Sequence, residues 1–406
     1  MTTTGQDVQQ GRGLLADPEP REVRATIISV DDHLVEPPWL FEGRMPAALQ
    51  ERAPRIVETD DGAQQWVFDG KTFPQLGFNA LVGRADRDDF TFEPARFDDM
   101  RPGCFDIRHR VGDMDINGVW ASVCFPSQIT GFCGRIYSAA SDPELGYWVT
   151  RAFNDWIFEE WWGIGGDRIV PMGITFLADP ELAAAEIRRN AERGFVAVSL
   201  PEQPQSAGMP SIHSGWWEPV IRACVETDTV ICLHIGSSGA LLPRDPEGPA
   251  GQGATLFQVQ SYVSCGEWLW SGIPVRFPSV KIAMSEGGIG WVPMLMDRLD
   301  FMMSQSGHGR KDWRAMGTSL SPTDVLQRNF WFCTIEDPST ISLRDRIGID
   351  HVMLEVDYPH ADSTWPDTQM YVARTLGNLS DDDLRRVTHT NAAALFRHPL
   401  PAVSRP

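Results

Sequence analysis

Short apolar runs rich in β-branched residues recur along this chain, each followed by a polar loop and then by a longer segment with helical spacing. The runs are ATIISV (25–30), VWASVCF (119–125), RIVPMGITF (168–176), FVAVSL (195–200), TVICLHI (229–235), VKIAMS (280–285), FWFCTI (330–335) and HVMLEV (351–356). Nearly all are continuous rather than alternating, as expected of strands covered on both faces. Between them lie helical patterns. DPELAAAEIRRNAER (179–193) has Asp179 as its N-cap and Gly194 just past its end, and WEPVIRACVET (217–227) leads into the strand that carries His234. Eight parallel-type strands alternating with helices predict an α/β protein, a closed (β/α)₈ TIM barrel rather than an open sheet.

Two stretches break the rhythm. Residues 1–24 are polar and mixed in charge and read as a flexible leader, so the barrel domain is expected over 25–406. The gap between strands one and two is too long for a βα loop and contains DGAQQWVFDG, which has the pattern of a small hairpin. Residues 37–115 are therefore expected to form an insertion over the C-terminal mouth of the barrel. The segment 237–275, rich in Gly, Pro and Ser and then in Trp, is a second candidate lid.

Composition narrows the class. The 406 residues carry a formal net charge of −20, which disfavours nucleic acid and anionic membranes as partners and requires a local cationic group for any anionic substrate. Seven scattered cysteines form no C-x-x-C pair and several sit in apolar runs, so a reduced, cytoplasmic setting is the default. The first residues lack the basic-then-apolar pattern of a secretory signal, and no run approaches the roughly 20 apolar residues of a bilayer span. There is no G-x-S-x-G elbow, G-x-G-x-x-G or P-loop, which removes the serine-hydrolase and nucleotide-cofactor readings.

Barrel chemistry gathers at the C-terminal ends of the strands. Strand one ends in Asp31-Asp32-His33, strand five in His234, strand six in Glu286 and strand eight in Asp357, with His360 three residues on. Asp31 and His33, two apart on a strand, share one face. Each has a plainer reading: the aspartates as loop caps, His234 as a hydrogen-bonded core residue, His360 as a loop histidine. Their coincidence at strand ends changes the balance. Two imidazoles and two carboxylates suit Zn²⁺, Mn²⁺ or Fe²⁺ rather than Ca²⁺ or a thiophilic metal. Trp39, Trp66, Trp268, Trp270, Trp291 and Trp365 are expected on loops near the mouth, where they would suit an aromatic or bulky apolar substrate, although most of the tryptophans are expected to be packing residues.

The segments SVDDHLVEPPWLF, LHIGSSG, SEGGIGWVPMLMDRLD, EVDYPHADSTWP and NAAALF together resemble the amidohydrolase-related branch of the amidohydrolase superfamily, over nearly the whole chain from about residue 25. That branch includes aminocarboxymuconate-semialdehyde decarboxylase, γ-resorcylate decarboxylase and many hydrolases. The resemblance implies a metal held by Asp31, His33, His234 and Asp357. Two positions depart from the family pattern: Asp31 is a shorter carboxylate than the usual Glu, or replaces a His, and Glu286 stands where the decarboxylases carry a His.

The leading expectation is hydrolysis of a small, aromatic or bulky apolar molecule by a metal-activated water, with Asp357 moving the proton and Glu286 and His360 assisting. The alternative is non-oxidative decarboxylation of an aromatic or enoic acid on the same ligands. A non-catalytic scaffold would predict no bound metal. Zn²⁺ is the first expectation for the ion and Mn²⁺ the alternative. The partner is a small-molecule substrate; the oligomeric state stays open, a homodimer being the commonest outcome.

Overall fold

The computed structural model describes residues 13–77, 79–85, 95–242, 245–305, 307–335 and 337–405. Residues 1–12 of the expected leader, and 78 and 86–94 of the expected insertion, lie outside these. All eight apolar runs form strand. They are β1 (Ile28–His33), β5 (Ala121–Phe125), β6 (Ile169–Val170) with β7 (Met172–Gly173), β8 (Ala197–Pro201), β9 (Val230–His234), β10 (Ile282–Ser285), β11 (Phe330–Thr334) and β12 (Val352–Leu354). Between β1 and β5, the strands β2 (Arg55–Glu58), β3 (Gln64–Phe68) and β4 (Lys71–Phe73) make a separate antiparallel sheet, so the DGAQQWVFDG pattern is indeed hairpin-forming.

Every neighbouring pair in the barrel is parallel. The ladder runs in two pieces, β1-β5-β6 and β7-β8-β9-β10-β11-β12. The break between β6 and β7 is Pro171, whose ring removes a ladder donor from what the sequence presents as one strand. The other seam joins the last strand to the first. There Asp357 N donates to Asp31 O at 2.8 Å and His33 N donates to Tyr358 O at 2.6 Å. The segment just past the last strand therefore meets the first strand through the backbone of the candidate ligands themselves.

The interior is packed rather than open. Ile28, Val30, Val123, Val170, Cys232, Ala283 and Met353 form one apolar cluster, and Leu395 and Phe396 of the closing helix Asn391–Phe396 join it at the strand starts. A larger core lies between the strands and the surrounding helices. One of these, Pro180–Glu192, begins as its sequence predicts: the Asp179 carboxylate accepts from Glu181 N at 2.9 Å and Leu182 N at 3.0 Å. Asp179→Ala should therefore cost about 1 kcal/mol, read as a lower urea midpoint with an unchanged m-value. A change under about 0.3 kcal/mol would show that the cap contributes nothing here.

Two further segments carry backbone structure. Residues 13–24 are tied down where described: Arg21 N donates to Ile116 O and Arg24 N to the Gln369 side chain, both at 2.8 Å. The segment 237–275, of which 243–244 lie outside the described residues, contains the helices Ala250–Thr255 and Phe257–Trp270, and Ser261, Ser264 and Cys265 are on the buried side of the second.

Candidate metal centre

One extra residue on β1 sets up the site. Ser29 pairs with Ser122 and Asp32 with Cys124, so three residues on β1 span two on β5. This bulge reverses the inward–outward alternation. Ile28 and Val30 point into the barrel before it, and Asp31 and His33 do so after it, while Asp32 faces outward to Ser122. On β9, Cys232 and His234 share the inward face, and beyond β12 the inward row of Met353 continues through Glu355 to Asp357.

The side chains converge. His33 Nε2 and His234 Nε2 lie 3.0 Å apart, and each is 3.6 Å from Asp31 Oδ1. Asp357 Oδ1 is 3.4 Å from His33 Nε2 and 2.9 Å from His360 Nδ1, and the His360 ring stacks on His33 at 3.9 Å. Glu286 Oε2 stands 3.3 Å from His234 Nε2. Both Glu286 and Asp357 have positive φ, +57° each, a left-handed conformation that a non-glycine residue adopts only when its surroundings enforce it. All six residues proposed from sequence for ligation or catalysis at this site (Asp31, His33, His234, Glu286, Asp357 and His360, with Asp357 serving both roles) thus fall in one cluster, buried except for the half-buried Glu286.

Whether the cluster fits a cation can be read from its own polar atoms. Asp31 is fully buried, yet neither carboxylate oxygen has a well-formed hydrogen-bond partner. His234 Nδ1 donates to the Ile235 carbonyl at 2.6 Å, which leaves a lone pair on Nε2, the atom that meets His33. Buried acceptors that converge without donors are what a divalent ion would satisfy. Burial holds His33 well below the ordinary histidine range, takes His234 down to about 3 and His360 to about 4, so the imidazoles are neutral and ligand-competent. Burial first, then neighbouring carboxylates, pushes Asp31, Asp357 and Glu286 well up. For Asp31 and Asp357 an ion at the cluster would reverse that pressure.

Several neighbours escape a reading by strand ends alone. Glu355, driven up to about 7 by burial, groups with Asp31 and Cys333; Asp362 groups with Glu286 and Asp357. The period-two spacing of Glu355 and Asp357 in EVD was the available signal. Glu202, buried at the end of β8 and driven up to about 8 by burial, accepts from Gly236 N at 2.7 Å and anchors the loop after His234.

The tryptophans are mostly scaffold, as most were expected to be, and three of the six expected on mouth loops lie in regular elements instead. Trp66 lies within β3, Trp268 and Trp270 lie in a helix, and Trp291 and Trp365 are buried with their indole N–H groups on Gly287 O and Asp113 O. Trp39 is partly exposed and donates to Glu160. The rings that border the candidate ligands are phenylalanines. Phe132 stacks on His234 at 5.0 Å and meets His33 edge-on at 5.5 Å, and Phe125 lies 4.9 Å from His234.

A (β/α)₈ barrel with a buried His/Asp cluster at its strand ends defines the class, that of metal-site barrels. A family model described as Amidohydrolase matches residues 80–398, and the chain belongs to that family. No curated protein sequence matches it. Among solved structures it is similar to an amidohydrolase from Mycobacterium avium subsp. paratuberculosis K-10, with a TM-score of 0.68 and 22% identity over 92% of this chain and 99% of the other. It is also similar to 5-carboxyvanillate decarboxylase from Novosphingobium aromaticivorans DSM 12444, solved with manganese and a nitrobenzoic acid (TM-score 0.65, 18% identity, 94% and 100% covered). A third is 2,6-dihydroxybenzoate decarboxylase from Rhizobium (TM-score 0.59, 17% identity, 92% and 99% covered). At these identities the likeness establishes the fold. Among the described residues no helix is long and apolar enough to cross a membrane.

Proposed function

We propose that this protein is a metal-dependent, non-oxidative decarboxylase of an aromatic acid. The observation that carries the reading is the stacking of Phe132 on His234, with Phe125 beside it, which sets a flat apolar surface directly against the ligand imidazoles. The decarboxylases among the similar structures support it, and they weigh more than the hydrolytic alternative that the strand-end carboxylates first suggested. A divalent ion, Mn²⁺ as in those structures or Zn²⁺, held by Asp31, His33, His234 and Asp357, would supply the positive charge that binds the substrate's carboxylate.

The chain's own residues then have separable tasks. Phe132 and Phe125 orient the aryl ring. Glu286, 3.3 Å from His234, is the acid that hands a proton to the ring carbon as the bond to the carboxyl carbon breaks. The electrons of that bond stay on the ring carbon, which takes the proton, and CO₂ leaves. His360, whose Nδ1 lies 2.9 Å from Asp357 Oδ1, packs against that carboxylate and against the His33 ring. The insertion 37–115 serves as a lid: Leu81 N and Val82 N both donate to Pro359 O, two residues past Asp357, at 2.9 and 3.1 Å.

The test is product analysis. Manganese-loaded protein incubated with a panel of hydroxybenzoates in deuterated water should release CO₂ and leave one deuteron on the ring carbon that lost it. Turnover of esters, lactones or amides with no CO₂ from any aromatic acid would overturn the reading in favour of hydrolysis.

A further inference from the structure

Phe132, whose ring covers His234, has a φ of +63°, a left-handed backbone that a bulky aromatic residue adopts only when its surroundings enforce it. It sits in the loop PSQITGFCGR (126–135), between Gly131 and Gly134, whose φ values are also positive, +67° and +87°. The strain at Phe132 has to be offset by contacts of the same loop.

Those contacts come from two sides. On one, Ser199 Oγ on β8 donates to Phe132 O at 2.9 Å, and Cys133 Sγ donates to Ser237 O at 3.4 Å, three residues past His234. On the other, the bonds converge on Ser127. Its carbonyl accepts from Gly131 N at 3.2 Å, Phe132 N at 3.3 Å and Thr130 Oγ1 at 2.8 Å. Ser127 is in turn gripped by Glu36, three residues past His33. Ser127 N donates to Glu36 Oε1 at 3.0 Å, and Ser127 Oγ donates to Oε2. Glu36 is wholly buried, and among the described residues no ion pair offsets its charge. Keeping a carboxylate in such a place is costly, and its two oxygens are used on the two donors of one serine.

We propose that Glu36, acting through Ser127, is a positioning residue that holds the Phe132 ring over His234 and thereby sets the affinity for an aryl ring. The proposal rests on the reading above in which Phe132 orients the substrate. Glu36 acts at one remove. It fixes Ser127, the Ser127 carbonyl takes the Phe132 amide, and without that hold the strained backbone relaxes and turns the ring away from the imidazole.

Calorimetric titration of manganese-loaded protein with salicylate, beside a manganese titration of the apo protein, tests this. Phe132→Ala should weaken salicylate binding by about 3- to 10-fold, the contribution of one aromatic contact. Glu36→Ala should approach that loss, and Ser127→Ala, the milder change should the first variant not fold, should give a smaller loss of the same kind. Manganese affinity should stay within about threefold in all of them, short of the ~10-fold or more that follows when a ligand is displaced. Glu36→Gln, which keeps an acceptor for Ser127 N, should recover part of the salicylate affinity. Ser127→Ala placed on top of Phe132→Ala should add nothing, because both act through one ring. If Ser127→Ala and Glu36→Ala bind salicylate as wild type does, if their losses add to that of Phe132→Ala, or if manganese is lost in step, the inference falls and the decarboxylase reading stands. If manganese-loaded wild type binds no aromatic acid, both fall.

Discussion

Asp357→Asn is expected to release the metal and stop turnover while leaving the fold intact or firmer. The side chain is nearly isosteric, so packing is preserved, but the charge 3.4 Å from His33 Nε2 is gone. An amide is a poor ligand for a divalent ion, and losing one of four donors should weaken affinity and turnover by on the order of 10³ or more. The apo protein should respond the other way. Burial, then Asp362, Glu286 and Asp31, hold the Asp357 carboxyl well above its ordinary range, so the metal-free pocket is crowded with acids. Removing one should raise apo stability by about 1–2 kcal/mol. Elemental analysis after gel filtration and urea unfolding in chelator read the two effects separately. A variant that keeps one equivalent of metal at wild-type affinity would remove Asp357 from the ligand set.

The sequence carried most of this site for one physical reason. Strands buried on both faces leave continuous apolar runs, and the polar residues that interrupt them at their C-terminal ends are the ones that converge. Asp31, His33, His234, Glu286 and Asp357 were legible on that basis. What was not legible depends on backbone detail that composition does not encode. The β1 bulge decides that Asp31 rather than Asp32 faces the barrel, and nothing in SVDDH marks the extra residue. The positive φ at Glu286 brings in a side chain that simple alternation from the inward-facing Ala283 would send outward. Which tryptophans border the mouth was not legible, because large rings pack cores as readily as they line pockets; Trp268 is fully buried, its N–H on Glu202 O at 2.9 Å. Phe132 sits in an undistinguished loop, and only its ring stack on His234 singles it out.

Asp32, turned outward by the same bulge, points to the second large effect, Arg110→Leu. Arg110 is wholly buried. Its Nε donates to Gly103 O at 2.8 Å, a terminal nitrogen donates to the carbonyl of His33, and the guanidinium carbon lies 4.1 Å over the Tyr358 ring. Another terminal nitrogen is 3.8 Å from Asp32 Oδ2. Asp32 in turn accepts from Ser29 Oγ at 2.8 Å, from Ser122 Oγ, and from Tyr358 N at 3.1 Å, so one carboxylate ties β1 to β5 and to the segment that carries Asp357. Leucine would fill part of the space but leave the buried Asp32 carboxylate without its counter-charge and take a donor from two buried carbonyls. The expected cost is about 3–5 kcal/mol, read from urea unfolding of the apo protein. It is bounded because Asp32 can escape by protonation: burial already raises its pKa, and Arg110 is the leading influence holding it down. Asp32→Asn placed on top of Arg110→Leu should therefore recover part of the loss, and Arg110→Lys should fall between, since an ammonium cannot span both carbonyls. A loss below about 1 kcal/mol would mean that the guanidinium is not what joins these strands. Because its donor sits on the carbonyl of His33, metal affinity in the surviving folded protein should also drop, by about 10-fold, through displacement of a ligand that Arg110 never touches by its ring.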